Sequence, residues 1–158
     1  MIFVTVGTQL AFDRLVHCVD DWAKNMKVDV QAQIGPSLIS PKYIQYSDFL
    51  APDVATEMFK KATLVVSHAG MGSILTALRY KKPILIMPRR ASLGEHRNEH
   101  QLATAKWLSN KPGIYVADDI SELKNMLNNF ESFGAGDGIS EYASDELIQN
   151  IKNFISRV

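Results

Sequence analysis

The sequence predicts an α/β fold, a parallel sheet with helices on both faces, and three observations predict it. Short apolar, β-branched runs recur along the chain, each stopped by glycine, proline or a polar cluster. Between them, apolar residues return at three- and four-residue intervals, as on one face of a helix. The two patterns alternate through 158 residues with no internal repeat and no low-complexity tract, which fits a single domain. Such a sheet is Rossmann-like, and its ligands bind beyond the carboxyl ends of the strands.

Taken in order, residues 2–6 form a buried strand that stops at Gly7-Thr8. Phe12, Leu15, Val16, Val19, Ala23 and Met26 mark the first helix. Val28, Val30, Ala32 and Ile34 alternate, giving a second strand that ends at Gly35-Pro36, and residues 43–46 are a weaker third. Pro52-Asp53 opens a short helix running through Met58, with proline suited to a first turn. Residues 64–67 are a buried strand, 74–80 a helix, and 83–87 a strand closed by Pro88. A polar loop at 89–97 precedes a helix at 98–108, and 114–116 are the last strand. Asp119 and Glu122 offer a capping box for the helix carrying Leu123, Met126, Leu127 and Phe130. Gly134, Gly136 and Gly138 read as a flexible loop. A final helix at about 144–158 puts Leu147, Ile148, Ile151, Ile155 and Val158 on one stripe, free to pack on its own domain or to dock on a partner.

Composition excludes several classes. With 17 basic and 17 acidic side chains the chain has no net charge, so no long-range field draws it to nucleic acid or an anionic membrane. The single cysteine, Cys18, cannot form an internal disulfide, and among apolar residues it reads as a buried thiol. The first seven residues lack the basic flank of a signal peptide, and no run approaches the ~20 apolar residues that span a bilayer. A neutral cytoplasmic domain is the expectation, unless another protein holds it at a membrane.

The segment His68-Ala69-Gly70-Met71-Gly72-Ser73 carries the most chemistry. It follows a buried strand and opens a helix. Gly70 and Gly72 would let a ligand approach the backbone, and the helix start presents free N–H groups to an anion. Ser73 could cap that helix or bond a phosphate, and His68 would add a donor. Together they would hold a diphosphate, where negative charge grows as a glycosyl bond breaks. A tight glycine turn with His68 bonded to backbone has the same spacing, so both readings stay open. The third glycine of a dinucleotide fingerprint is missing, as is the Gly-Lys-Ser/Thr of a P-loop. In the charged loop at 89–97 a solvated surface is the plain reading, with one arginine reaching a phosphate or a partner as the alternative.

Residues 64–101 resemble the donor-binding half of GT-B glycosyltransferases, the C-terminal half of that two-domain fold (family 28 C-terminal-like). The pattern is closest to Alg13-like and bacterial exopolysaccharide glycosyltransferase subunits. It is carried by His68-Ala69-Gly70-Met71-Gly72-Ser73-Ile74, Lys82-Pro83 with Pro88, and Asn98-Glu99-His100-Gln101. The opening run to Gly7-Thr8 and the turn Gln33-Ile34-Gly35 also fit, so the likeness extends over most of the chain to about residue 108.

The resemblance implies a nucleotide-sugar-binding domain over residues 1–158, and a site to go with it. Gly7 and Thr8 would lie beside the diphosphate or the cleft between the halves. His68 and the backbone from Gly70 to Ser73 would grip the diphosphate, with Ala69 and Met71 in the same turn. Gln101, with Glu99 or His100, would contact the transferred sugar, and Gln33 and Gly35 would lie near the uracil. Where relatives carry a glutamate for the ribose, this chain has Thr76.

The implied activity is transfer of a hexose from a UDP-sugar to a lipid-linked saccharide in polysaccharide biosynthesis. No cofactor is implied, and the lack of any Asp-x-Asp argues against a metal-bridged diphosphate. A membrane-associated, Alg14-like partner would bring the acceptor site and the catalytic base, recruiting this chain to the inner face of the membrane. The other reading is a non-catalytic accessory subunit that activates a partner glycosyltransferase.

Overall fold

The computed structural model describes residues 1–139 and 144–156. Its centre is a six-stranded sheet in the order β3-β2-β1-β4-β5-β6, with every neighbouring pair parallel. The strands are β1 (Ile2–Thr5), β2 (Val30–Gln33), β3 (Gln45–Ser47), β4 (Leu64–His68), β5 (Ile84–Met87) and β6 (Ile114–Val116). The helices are α1 (Asp13–Ala23), α2 (Pro52–Lys61), α3 (Met71–Arg79), α4 (His100–Leu108), α5 (Ile120–Asn128) and α6 (Asp145–Ile155). The expected Rossmann-like sheet is present, with the strand order of the two-halved form.

Alternation along the strands divides the core in two. Ile2, Val4, Leu64, Val66, Leu85 and Met87 point to one face, where Leu15, Val16 and Val19 of α1 and Leu123 and Leu127 of α5 cover them. Phe3, Val65, Ile84 and Ile86 point to the other, under Phe59 of α2, Ile74 and Ala77 of α3, and Ala105 and Leu108 of α4. The central strands are covered on both sides and therefore read as unbroken apolar runs. Cys18 sits in the first of these layers, and burial pushes its thiol up to about 11. That leaves it an unreactive packing group at neutral pH.

Three local features depart from the expected elements. The third strand lies two residues later than 43–46 and is exposed throughout, so it has no apolar pattern to mark it. Helix α3 begins at Met71, not Ile74, because Gly72 lies in its first turn, where no packing forbids it. The glycine-rich segment at 134–138 is tied down instead of loose. Phe133 stacks on Tyr115 at 3.8 Å, and the Gly134 amide donates to the Tyr115 hydroxyl at 2.9 Å. Gly113 and Gly136 pack so closely that a Cβ on Gly136 would lie 2.3 Å from the Pro112 carbonyl oxygen.

The cap on α5 forms at Asp119 as expected, with the return bond going one residue before it. Asp119 accepts from the Glu122 amide at 2.9 Å, and Glu122 accepts in return from the Asp118 amide at 2.8 Å. Asp119→Ala is expected to cost about 1 kcal/mol, read as a lower urea midpoint with unchanged slope.

Helix α6 has no buried residue, and Leu147, Ile151, Phe154 and Ile155 are all exposed. Ile148 of the same stripe is partly buried, so among the described residues most of the stripe is left uncovered. Val158, the last position assigned to that stripe, lies outside the described residues. Among the described residues no helix is long and apolar enough to cross a membrane.

Candidate functional site

From β1 the chain continues to β2 on one side, and from β4 to β5 on the other. The loops leaving these two central strands diverge, and a crevice opens at their carboxyl ends. It holds a cavity of about 460 Å³. One wall is the loop after β1, with Gly7, Thr8, Gln9 and Leu10, and the facing wall is His68 with Gly72, Ser73 and Thr76 of α3. Arg89 and Gln101 line it from beyond β5, and Leu50, Ala55 and Phe59 give it an apolar end. A pocket with an apolar end and a few convergent polar groups suits a small organic ligand.

His68 ends β4 with its ring between two glycines. A Cβ on Gly7 would lie 3.0 Å from His68 Cε1, and one on Gly70 would lie 2.1 Å from Nε2. Gly7 also has φ +79°, where other residues are strained. The Ser67 hydroxyl gives its only proton to the Thr5 carbonyl at 2.7 Å. The contact between Ser67 Oγ and His68 Nδ1, at 3.2 Å, therefore needs the proton on Nδ1, and neutral His68 leaves Nε2 as an acceptor. Burial first, and the Arg89 guanidinium second, push its pKa down to about 4. Neutral His68 would donate from Nε2 only after gaining a proton.

The start of α3 partly fits its expected use. The Gly70 amide is already spent on the His68 carbonyl at 2.8 Å. The amides of Met71, Gly72 and Ser73 have no partner among the described residues, and no side chain caps the helix. Ser73 is the third helical residue and does not cap, while space beside Gly72 is open. Met71 is exposed and lines a different, apolar groove, and Ala69 is buried in the core. Thr76 lines the cavity, but its hydroxyl donates to the Gly72 carbonyl at 2.7 Å.

The remaining expected residues divide in the same way. Gln33 lines the cavity, yet both ends of its amide are committed: Nε2 donates to the Gly7 carbonyl at 3.1 Å and Oε1 accepts from the Leu50 amide at 3.3 Å. It holds two loops in place. Gly35, at φ +64°, lies behind the first loop, where a Cβ would meet Val6 at 3.2 Å, and it is not in the cavity wall. Gln101 is buried in the wall and accepts from the Arg89 amide at 3.1 Å. Glu99 and His100 are outside the wall. Glu99 accepts from the Ser92 amide, and His100 is exposed at the first turn of α4.

Arg89 and His96 also line the cavity, although residues 89–97 read mainly as a solvated loop. Arg89 is 3% exposed; its Nη2 donates to the carbonyls of Val6 at 2.8 Å and Leu10 at 2.6 Å, and Phe12 lies under its guanidinium at 5.1 Å. Glu95 forms a two-point ion pair with Arg14 at 2.6 and 2.8 Å, which ties the loop to α1. The sequence signal for Arg89 was its place directly after the proline that closes β5, the position of a post-strand loop.

Comparison with known proteins adds to this geometry. The human UDP-N-acetylglucosamine transferase subunit ALG13 is 32% identical over 125 residues, 72% of this chain, but the chain spans only 11% of that protein's length. A solution structure of ALG13 superposes with a TM-score of 0.60 at 18% identity, covering 95% of this chain and 93% of that one. The crystal structure of the glycotransferase of kitacinnamycin superposes with a TM-score of 0.62 at 17% identity, covering 83% of this chain and 34% of that one. These two superpositions speak for the fold. The profile of the glycosyltransferase family 28 C-terminal domain matches residues 1–110. With most of its length under that match, the chain belongs to the glycosyltransferase family 28 C-terminal domain family.

Proposed function

We propose that this chain binds the nucleotide-sugar donor of a glycosyltransferase whose acceptor site lies on a second polypeptide. The observation that carries the reading is the unspent amides of Gly72 and Ser73, which share one wall of a cavity at the β1/β4 switch point with His68. A helix start with free N–H groups stabilises an anion, and it costs no reorganisation when charge develops on a departing diphosphate. The apolar end, with Leu50, Ala55 and Phe59, offers a surface for a flat base, and Gln101 stands ready for a sugar hydroxyl. The donor is a UDP-sugar in this reading, as the name of the human relative suggests.

Catalysis here is electrostatic. As the bond from the sugar to the diphosphate breaks, the pair of electrons goes to the β-phosphate oxygen, and α3 receives that charge. The acceptor hydroxyl must lose a proton to a base. Among the described residues no carboxylate lines the cavity, and with His68 assigned to the departing diphosphate this reading gives the base to the partner. The partner is an Alg14-like, membrane-associated protein holding a lipid-linked saccharide, and it recruits this cytoplasmic chain to the membrane's inner face. The mostly uncovered stripe of α6 supports the need for a partner.

Thr76 favours a second reading. Its hydroxyl is engaged in its own helix and offers the ribose no carboxylate, as an accessory subunit without its own donor site would allow. Calorimetric titration of the full chain, and of its complex, with UDP and with UDP-N-acetylglucosamine decides between them. Saturable one-to-one binding is expected. Heat of dilution alone from both chain and complex would leave only the accessory role.

A further inference from the structure

We propose that Arg89 supplies the fixed positive charge that recognises the diphosphate of a nucleoside diphosphate in this cavity. The inference rests on the donor-binding reading above and adds to it a residue that the glycine turn does not contain. Arg89 is buried, and its Nε has no hydrogen-bond partner among the described residues. A buried charge is normally met by an opposite one, because desolvation is otherwise uncompensated. Among the described residues no carboxylate meets this one. Glu95, the acid whose charge acts on it, is taken up by the two-point pair with Arg14 and by the Arg90 amide at 2.9 Å. The two bonds that Arg89 Nη2 does make go to neutral carbonyls, which orient the guanidinium without cancelling its charge.

Burial brings its pKa down to about 10, so it remains charged at neutral pH. His68 adds no second charge to the wall in the empty state, since it is neutral. Arg90 also has a buried Nε without a partner, but its Nη2 reaches away to the Asp118 carbonyl at 2.7 Å, and it does not line the cavity. An anion entering the crevice therefore meets a built-in charge at Arg89, held by the same loop that carries Gly7 and Thr8. A diphosphate suits it better than a carboxylate, because one oxygen can meet Arg89 while another meets the amides of α3.

The test compares ligands that differ only in phosphate. NMR titrations of the full chain with UDP and with uridine, at constant pH, are run on wild type, Arg89→Gln and Arg89→Lys. For Arg89→Gln, UDP affinity is expected to fall about 10–100-fold, the worth of one charge-assisted hydrogen bond. Uridine affinity should change less than about 3-fold, and Arg89→Lys should recover part of the loss. Equal losses for UDP and uridine would reduce Arg89 to a loop brace and overturn the proposal. Because Arg89→Gln could fail to fold, the wild-type chain provides an independent readout. Its Arg89 Nε–H resonance should shift with UDP but not with uridine, and a resonance unmoved by bound UDP also overturns the proposal. If UDP does not bind wild type at all, the donor reading itself fails and Arg89 with it, an outcome distinct from UDP binding that ignores Arg89.

Discussion

Gly70→Ala is expected to reduce sugar transfer by the chain and its acceptor-side partner about 100-fold, although it adds only one methyl group. The backbone there, at φ −98° and ψ 130°, is one that alanine adopts freely. The whole conflict is with one side chain, since the added Cβ would lie 2.1 Å from His68 Nε2 and 2.7 Å from Cδ2. On the other side the ring lies against Gly7, where a Cβ would lie 3.0 Å from Cε1, so its seat is narrow. His68 must therefore leave its seat. His68→Ala removes the ring outright and should cost about 10²–10³-fold, the usual loss for one group that stabilises a departing anion. The double variant is the informative one. If Gly70 matters only through His68, the double loses no more than His68→Ala alone. Turnover of the reconstituted pair checks both, with far-UV dichroism confirming the fold. Full activity in His68→Ala would remove His68 from the site, and losses that multiply in the double variant would mean that Gly70 acts other than through His68.

The fold was legible because its signals are local. Apolar strands such as 64–67 and 84–87 and the helix stripe of Leu15, Val16 and Val19 need only neighbouring residues to be recognised. Where the local pattern fails, so does the reading. The third strand is exposed along its length, and the tie between Tyr115 and Gly134 joins residues 19 apart. The site follows the same rule. The glycine turn after β4 is a local motif, and His68, Gly72, Ser73, Gln101 and the Gly7-Thr8 loop do meet around one cavity. Arg89 looked like any charged loop residue. What buries it is the loop after β1, 79 to 83 positions away, whose carbonyls it bonds. Glu95 is likewise committed to Arg14 at a separation of 81. In the same way, Gln33 and Gly35 matched the resemblance in sequence, but the structure uses one to clamp two loops and the other to pack behind Val6. A likeness of motif marks positions near a site. Which of them face the ligand depends on long-range packing.

Acidification from pH 7 to pH 4 is expected to cost the empty chain about 3 kcal/mol through His68 alone. The sign follows from proton binding. Unfolded, this histidine titrates near its ordinary 6.5; folded, burial and Arg89 hold it near 4. Between those values the unfolded chain binds the extra proton, so stability is fully present above about 6.5 and drains away as pH falls toward 4. His68→Gln cannot titrate, so the difference between its urea midpoint and that of wild type should vary with pH across this window and flatten above it. Carboxylates that protonate at the acid end act on both chains and drop out of the difference. A difference that stays constant from pH 7 to pH 4 would mean that His68 binds protons equally in the folded and unfolded chain, with no depressed pKa. Bound UDP should reverse the balance, because a diphosphate beside Nε2 favours the imidazolium that Arg89 opposes. Affinity should then rise as pH falls from 7 toward 5, with proton uptake visible as binding heats that differ between buffers of different ionisation enthalpy. The same proton that weakens the empty fold would thus strengthen the grip on the leaving group, which is where a donor site needs it.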